Sequence, residues 1–279
     1  MSLARYVRAC TYFLLSAMKT IRNILFAAGI LFAGTVSLSA ANHAVAPGQN
    51  VQAVVDGAAS GDLIRFLPGV YGDLSIVNKD LTLKALGNTP AHLGALDING
   101  SVVNLIKIGA DTLRANDLPG DASKIIAIQA SYGNIETNAT EFHVAYSDVK
   151  HLVFRGKGTV TACEFDGNDQ GGIGVDVHGA GTHLVIRNNH IHSYILRVYV
   201  NTTITEECIG VRVRDGANAD VLNNIINYCY FRGVGSNAGG CSSTDSGMGV
   251  FVKEGARATI LGNYFADISA PGSTRGNRL

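Results

Sequence analysis

A row of basic side chains recurs at one spacing in the second half of the sequence. His178, Arg214 and Lys253 hold the same place in successive copies of a repeated segment, and Arg155 extends the row in a fainter copy. Arginine binds carboxylates, and a lysine that is desolvated or lies beside another cation can act as a base. These residue types therefore favour chemistry on a ligand that carries carboxylates.

Eliminative cleavage of a uronic-acid polymer is a reaction that such a row would serve. It requires that the carboxylate be neutralised, that the adjacent proton be removed and that the leaving oxygen be protonated. On this hypothesis Arg212 and Arg214 bind carboxylates, Lys253 is the base and His178 is the proton donor. Stacked like charges favour the neutral amine of Lys253, which is the form that a base needs. The catalytic candidates are therefore Lys253, Arg214 and His178.

A second row, made of Asp176, Arg212 and Phe251, runs beside the first. Together with Arg155 it supplies the candidate substrate-binding residues. Phe251 is either a platform on which a sugar ring stacks or an apolar residue covered by a loop. Asp176 and Arg212 also fit a plain ion pair between strands, which contributes under about 1 kcal/mol at a solvated surface. A solvated charged face is therefore the alternative interpretation of both rows.

The rows follow from an internal repeat. Residues 209–226 align without a gap with residues 248–265, residues 173–191 fit with one insertion, and residues 151–165 form a fainter copy. Apolar residues alternate with polar residues or glycine at the start of each copy, which is the pattern of a half-buried strand. A bend, a second strand and a third strand complete the copy, so the repeat predicts three short strands per winding.

An asparagine stands at one fixed step of the repeat. Asn189, Asn224 and Asn263 occupy this step in three copies, and Cys163 occupies it in the faintest one. Asparagine tolerates the left-handed backbone of a tight turn, and its side chain can bond the equivalent residue of the next winding. Such a ladder predicts an all-β fold, a single-stranded right-handed parallel β-helix with three sheets per coil and about eight coils.

This architecture turns rows of the sequence into columns of the structure, because adjacent parallel strands lie about 4.8 Å apart. Gly174, Gly210 and Gly249 form a third column, predicted to be an exposed strip without side chains. Two long insertions, from Ser193 to Cys208 and from Cys229 to Gly247, would project beside the columns and wall them into a groove. In residues 85–145 the repeat is weaker, and a strand is predicted over residues 104–108.

The start of the predicted domain, which covers residues 42–279, has its own signals. Residues 48–58 suit a short amphipathic helix that covers the open end of the coils, where strand edges would otherwise be unpaired. The segment from Ser60 to Tyr71 then reads Gly-Asp, a strand and Pro-Gly-x-Tyr, and a second strand pair follows over residues 74–84.

This opening segment resembles that of pectate-lyase-like proteins, including the alginate lyase and chondroitinase B group. The resemblance covers most of the predicted domain as a fold. It implies a substrate groove on the sheet that carries the basic columns. It also implies a lysine and arginine pair of the alginate lyase kind, for which Lys253 and Arg214 are the matching residues here. The family sequence around such a pair is not found, which leaves the reaction open.

Calcium is the one cofactor that the sequence raises. Asp166, Asp169 and Asp176 are close in sequence, and calcium prefers several carboxylate oxygens. Gly172 stands where calcium-binding pectate lyases typically have an aspartate, and Asp-Gly-Asn-Asp is also ordinary turn composition. No Cys-x-x-Cys pair occurs, which argues against a zinc site of that kind.

Composition and the N-terminus bound the location and partners. Lys plus Arg and Asp plus Glu both number 22, so no overall field favours nucleic acid or an anionic membrane. Residues 1–41 fit a signal peptide with its true start at Met18, or else an uncleaved anchor. Export to the extracellular space, or to a Gram-negative periplasm, would permit a disulfide between Cys229 and Cys241.

Three functions are consistent with these features. The first is a lyase for an acidic polysaccharide. The second is a glycoside hydrolase, which needs two carboxylates that flank the bond; only Asp176 faces outward on the clear strands. The third is a non-catalytic carbohydrate-binding or cell-surface protein. Residues 270–279 offer no cap, so we expect a partner, or further chain, to cover the last coil.

Overall fold

The computed structural model describes residues 40–199, 207–234 and 247–269. They form parallel-paired strands and one helix, α1, at Val51–Gly57. In this part of the chain, no helix combines the length and the apolar character needed to cross a bilayer. Almost all of the predicted signal peptide lies outside the described residues.

One sheet contains ten strands, each hydrogen-bonded in parallel to the strand of the next winding. In spatial order they are β1 (Asn42–Val45), β2 (Leu63–Phe66), β5 (Asp80–Ala85), β7 (Val102–Ile106), β9 (Lys124–Ile128), β11 (Glu141–Ala145), β13 (Lys157–Thr161), β16 (His183–Arg187), β20 (Asn218–Leu222) and β23 (Arg257–Leu261). Every step advances the chain by one winding, which confirms the predicted parallel β-helix. The predicted count was about eight coils.

The remaining fourteen strands belong to a second sheet. They are β3 (Gly69–Val70), β4 (Leu74–Val77), β6 (Ala91–Asn99), β8 (Ile108–Asn116), β10 (Ser131–Thr137), β12 (Asp148–Phe154), β14 (Glu164–Asp166), β15 (Gly172–His178), β17 (His190–His192), β18 (Ile195–Tyr199), β19 (Cys208–Arg214), β21 (Ile225–Val234), β22 (Met248–Val252) and β24 (Tyr264–Ser269). Strand β12 pairs with β14 through Asp148 and Val149, and with β15 through residues 152–154. In the middle of the stack, one long strand therefore runs over both of the other faces of a coil. After β12, each of these two faces has a strand of its own.

Alternation places the apolar side chains inside the coils. Val175 and Val177 of β15 and Val211 and Val213 of β19 are fully buried and stack in register. The stack ends differently: Ile260 of β23 aligns with the fully buried Val221 of β20 but is 47% exposed. No strand among the described residues follows β23 in this sheet.

The predicted asparagine ladder is present. Asn189 Nδ2 donates to Asn224 Oδ1 (3.0 Å), and Asn224 Nδ2 donates to Asn263 Oδ1 (2.9 Å). The backbone amide of Cys163 donates to Asn189 Oδ1 (2.9 Å), so Cys163 begins the ladder as predicted. The left-handed backbone lies one residue earlier, at Asn188 and Asn223, with φ of 56° and 54°. The ladder residues therefore supply the bonds between coils, and their predecessors make the turn.

The opening segment ties the first coil together. Asp62 accepts bonds from the amides of Ala41 (2.7 Å) and Ala59 (2.9 Å) and from the His43 ring (2.9 Å). The bond from His43, followed by these amides, lowers the pKa of Asp62. Tyr71 donates its hydroxyl to the Leu67 carbonyl (2.5 Å). The residues of the Gly-Asp and Pro-Gly-x-Tyr motif thus serve the fold.

The predicted N-terminal helix is also present, as Val51–Gly57, inside the predicted 48–58. Asn50 caps it by accepting from the Ala53 amide (3.1 Å). Gln52 bonds both backbone groups of Ser75, at 2.9 Å each, and so pairs with the edge of β4 as a strand would. A side-chain amide thereby satisfies part of the open edge of the coil.

Two predictions about the middle and the loops were wrong in detail. The strand predicted over residues 104–108 ends at Ile106, because Lys107 turns with a φ of 58°, and β8 begins at Ile108. The insertion from Ser193 to Cys208 contains strand β18, which pairs with the end of β21. Residues 200–206 and 235–246 of the two insertions lie outside the described residues.

We expect Asn224→Ala to lower the free energy of unfolding by about 3 kcal/mol. The change leaves the buried amide of Asn189 and the Ile186 carbonyl without their partners, and each loss costs about 1–3 kcal/mol. Urea unfolding measures the effect. Asn218→Ala, at an exposed site on β20, is the control and should change stability by less than about 0.5 kcal/mol. Equal losses in both variants would contradict the ladder's role.

Candidate functional site

The predicted columns exist. Asp176 lies opposite Arg212, which lies opposite Phe251, and His178 lies opposite Arg214. The amide of Lys253 donates to the Val213 carbonyl (2.9 Å) one residue after β22 ends, so Lys253 continues the column of His178 and Arg214.

Arg155 extends the same column on the other side. It follows Phe154, which pairs with Val177, and its Nε lies 3.2 Å from Nδ1 and 3.3 Å from Nε2 of the His178 ring. Arg155, His178, Arg214 and Lys253 form what we call the basic column, and the sequence predicted each of its members.

The predicted bare glycine strip is wrong. Gly174, Gly210 and Gly249 are buried. A Cβ on Gly210 would lie 2.7 Å from the Gly249 carbonyl oxygen and 2.7 Å from Ile226 Cγ2, and one on Gly174 would lie 3.0 Å from Tyr194 Cε2. The absence of side chains lets neighbouring coils and the bases of the insertions pack closely, so these glycines do not form an open surface.

Asp176 is the centre of the site. The residue is 4% exposed, and its carboxylate accepts from Nε (3.0 Å) and Nη2 (2.8 Å) of Arg212. It also accepts from Nε (3.2 Å) and Nη2 (3.1 Å) of Arg214. Two guanidinium forks on one buried carboxylate fix the orientation of both arginines. Burial alone would raise the pKa of Asp176, but the bonds from Arg212 and Arg214 outweigh it, so this pKa lies below its usual value.

The arginines also bond carboxylates that the sequence analysis missed. Arg212 forms a further ion pair with Glu207, and Arg214 Nη1 donates to Asp215 Oδ2 (2.9 Å). The repeat did contain a signal for this, because Asp215 and Glu254 occupy equivalent places in aligned copies and share a left-handed backbone, with φ of 55° and 56°. The predicted run of cations is therefore interleaved with anions.

His178 is buried, and its pKa is shifted from the ordinary value. Burial and then the charge of Arg155 lower its pKa, against the opposing effect of Asp176. Arg155 donates to the ring, and the ring must be neutral to accept this bond. A neutral imidazole can take up a proton once the bond from Arg155 is released, so the geometry favours His178 as a base and not as the proton donor expected from the sequence.

An open depression of about 660 Å³ lies beside Arg155. Thr182, Asp215 and the small residues 179–181 line its other sides. The Arg155 side chain is exposed, and no ion pair holds its guanidinium within the described part of the chain. This is where the site offers a cationic group to a ligand.

Lys253 and Phe251 lie at the opposite end. Lys253 Nζ is 3.7 Å from Glu254 Oε1 and 5.4 Å from the centre of the Phe251 ring. The Phe251 ring is half-buried and lies against this cation. Lys253 thus has an anion and an aromatic face as neighbours as well as Arg214.

The sequence matches no family model and no curated protein. Among solved structures, the chain is similar to a PL6 family alginate lyase, AlyGC, with a TM-score of 0.52 and 16% identity over 80% of this chain and 39% of that chain. This similarity agrees with the parallel β-helix fold. An arginine-to-alanine mutant of the same lyase matches with a TM-score of 0.49 and 16% identity over 83% of this chain and 41% of that one. The chain thus spans about two fifths of the length of the alginate lyase that it matches.

The predicted calcium ligands do not come together in this β-helix. Asp166, Asp169 and Asp176 form no common group within the described residues, and the Asp176 carboxylate is taken by two arginines. Asp166 Oδ1 lies 3.7 Å from His192 instead. The one group of at least three potential metal ligands in the described chain is Glu164, His190 and His192, which the sequence analysis missed.

The predicted disulfide is not formed in this structure either. The Cys229 thiol is free and fully buried, and burial raises its pKa far above the usual value. Cys241 lies outside the described residues.

Asp176→Asn should lower the free energy of unfolding by about 3 kcal/mol, because it leaves two guanidinium groups without their shared carboxylate. Urea unfolding tests this, with Asp220→Asn as the control. Asp220 is partly exposed and its partner is His183, 3.0 Å away, so its loss should cost under about 1 kcal/mol.

The wild type and Asp176→Asn also test how the stabilising effect of Asp176 depends on acid pH. Because the pKa of Asp176 is lower in the folded state, its stabilising effect is complete above its unfolded pKa of about 4 and is lost as the pH falls through the folded value. The gap between wild type and Asp176→Asn should shrink below pH of about 4. A gap that stayed constant down to acid pH would rule out an ionised Asp176 as its source.

Proposed function

We propose that this chain is an exported protein that binds an acidic polysaccharide along the basic column and cleaves it by β-elimination. The observation that carries the proposal is the exposed Arg155 guanidinium, held beside an open depression and bonded to a neutral His178. The polysaccharide-lyase fold supports the same conclusion. A uronate carboxylate is the ligand that such an arginine would bind.

The division of labour differs from that expected from the sequence. Asp176 already binds Arg212 and Arg214, so these two arginines shape the surface and contribute positive potential. Arg155 contacts the substrate carboxylate. When the Arg155 guanidinium turns to that carboxylate it releases the acceptor nitrogen of His178, and the neutral ring then removes the adjacent proton. Lys253, on the far side of Arg214, donates a proton to the leaving oxygen. Phe251 offers a partly covered ring on which a sugar can stack.

The arrangement of the carboxylates near the basic column favours elimination over hydrolysis. Hydrolysis needs an ionised base or nucleophile and a protonated acid that flank the glycosidic bond. Asp176 is buried under two arginines, and Asp215 is ion-paired with Arg214. Neither is positioned as a free acid.

We expect Arg155→Gln to weaken binding of the cognate acidic glycan by about tenfold or more, since it removes a charge-assisted contact worth about 1.5–3 kcal/mol. Affinity electrophoresis in gels that contain alginate, pectate or chondroitin sulfate measures it. Arg187→Gln is the control, because Arg187 is also exposed but lies on the other sheet. If both variants retain the wild-type affinity, the depression is not the binding site.

Near-ultraviolet absorbance of the unsaturated product measures elimination directly, whereas hydrolysis gives reducing ends without this chromophore. We expect His178→Asn to lower kcat by about 10²–10⁴-fold and to leave affinity nearly intact, with His183→Asn as the unaffected control. Because the pKa of His178 lies below the usual 6.5, the acid limb of kcat/KM should fall below that pH.

Retention on a glycan without any product would identify a binding protein and refute the catalytic part of the proposal. Full activity in His178→Asn would refute the role of His178, and full activity in Lys253→Ala would refute that of Lys253.

A further inference from the structure

A second cluster lies on strands β14 and β17, away from the basic column. Glu164 pairs with His190 across these strands, and Asp166 pairs with His192. The two histidines are two residues apart on β17, so their rings project from the same face. The rings stack with centroids 4.1 Å apart and planes inclined by 30°. Two imidazoles and two carboxylates from neighbouring coils thus meet at one place.

The ligand atoms are close enough to share one ion. One atom from each of Glu164, His190 and His192 lies within 4.8 Å of the other two. Donors about 2.1 Å from one ion are at most about 4.2 Å apart, which is within about 1 Å of the spacing found here. Glu164 is exposed and the histidines are partly buried, so an ion can enter from solvent.

The hydrogen bonds around the cluster orient the histidines as metal ligands. His192 Nδ1 lies 2.8 Å from Ser193 Oγ and 3.7 Å from Asp166, while its Nε2 lies 3.0 Å from Glu164 Oε1. His190 Nε2 lies 3.2 Å from Asn227 Oδ1. Ligating histidines typically donate their second ring N–H to such oxygens. With the ring proton on Nδ1, bonded to Ser193 Oγ, the Nε2 lone pair of His192 is available to bind an ion beside the Glu164 carboxylate.

Five other His–carboxylate pairs in the described residues serve as a comparison. They are His43–Asp62, His92–Asp111, His143–Glu141, His178–Asp215 and His183–Asp220. Each of these pairs contains one imidazole. Among the described residues, only the cluster on β14 and β17 joins two imidazoles to a carboxylate within one ion's reach.

We propose that Glu164, His190 and His192 bind a divalent transition-metal ion of the zinc class. Two imidazoles and one carboxylate suit zinc, cobalt or nickel, whereas calcium and magnesium prefer oxygen ligands alone. Three protein ligands leave a fourth position for water or a ligand group. The ion links two successive coils, and the site does not depend on the polysaccharide proposal.

The test is a calorimetric titration of the chelator-treated, untagged protein with Zn²⁺. We expect one ion per chain, and a loss of affinity of about tenfold or more in His190→Asn, His192→Asn and Glu164→Gln. His183→Asn is the matched control and should bind as the wild type does. Wild-type protein that binds no Zn²⁺, or ligand variants that bind it unchanged, would overturn the proposal.

Two further measurements keep the outcome clear. Circular dichroism checks that each variant is folded, and Zn²⁺ should raise the melting temperature of the wild type and of His183→Asn but not of His192→Asn. The spectrum of the Co²⁺-loaded protein should show ligand-field bands without a thiolate charge-transfer band. Such a band would assign the ion to cysteines, and displacement by equimolar Ca²⁺ would indicate an oxygen-only site; either result overturns the proposal.

Discussion

The register between successive coils is the constraint on which the rest of this molecule depends. It is held by hydrogen bonds at one turn, where the side chains of the ladder asparagines bond the side chains and backbone of their neighbours in adjacent coils. These residues are Asn189, Asn224 and Asn263. Because side chains alternate between the two faces of a strand, a slip of one residue would turn every column inward. Asp176 would then lose Arg212, and His178 would lose Arg155. The asparagine turn therefore determines which side chains meet on the surface, although it does not contact them.

The fold and the columns were predictable because both are properties of the backbone repeat. A parallel β-helix brings equivalent positions together whatever their side chains are, so aligned copies sufficed to pair His178 with Arg214. Where the repeat is weak the prediction was poor, as at Lys107, whose left-handed backbone has no asparagine or glycine to signal it. The insertions were predicted as loops, but part of the first one forms a strand that pairs with the second. The sequence did not show this pairing, because the two insertions differ in length and do not align.

The composition of the site was less predictable, because it depends on the reach of side chains and not on register. Outward direction alone could not show that Arg212 and Arg214 both turn back to Asp176. It also could not show that the glycine column lies beneath Tyr194 and Ile226. Glu164, His190 and His192 were missed for a related reason. Glu164 and His190 follow the ladder step by one residue and His192 follows it by three, but the next copy has Ile225 beside His190 and interrupts the column.

The proposed selectivity for an anionic ligand depends on how charge is distributed around the basic column. Asp176, Glu207 and Asp215 compensate Arg212 and Arg214, which would otherwise repel each other two residues apart on β19. These ion pairs fix the positions of the two guanidinium groups and leave them less able to bind a ligand. Arg155 follows β12, one coil before the strand of Asp176, and its guanidinium bonds the His178 ring. On the proposed function, a carboxylate that approaches the depression meets the oriented Arg155 beside a ring able to accept a proton, with Asp215 on another side. This arrangement requires the buried Asp176 to hold Arg212 and Arg214 in place.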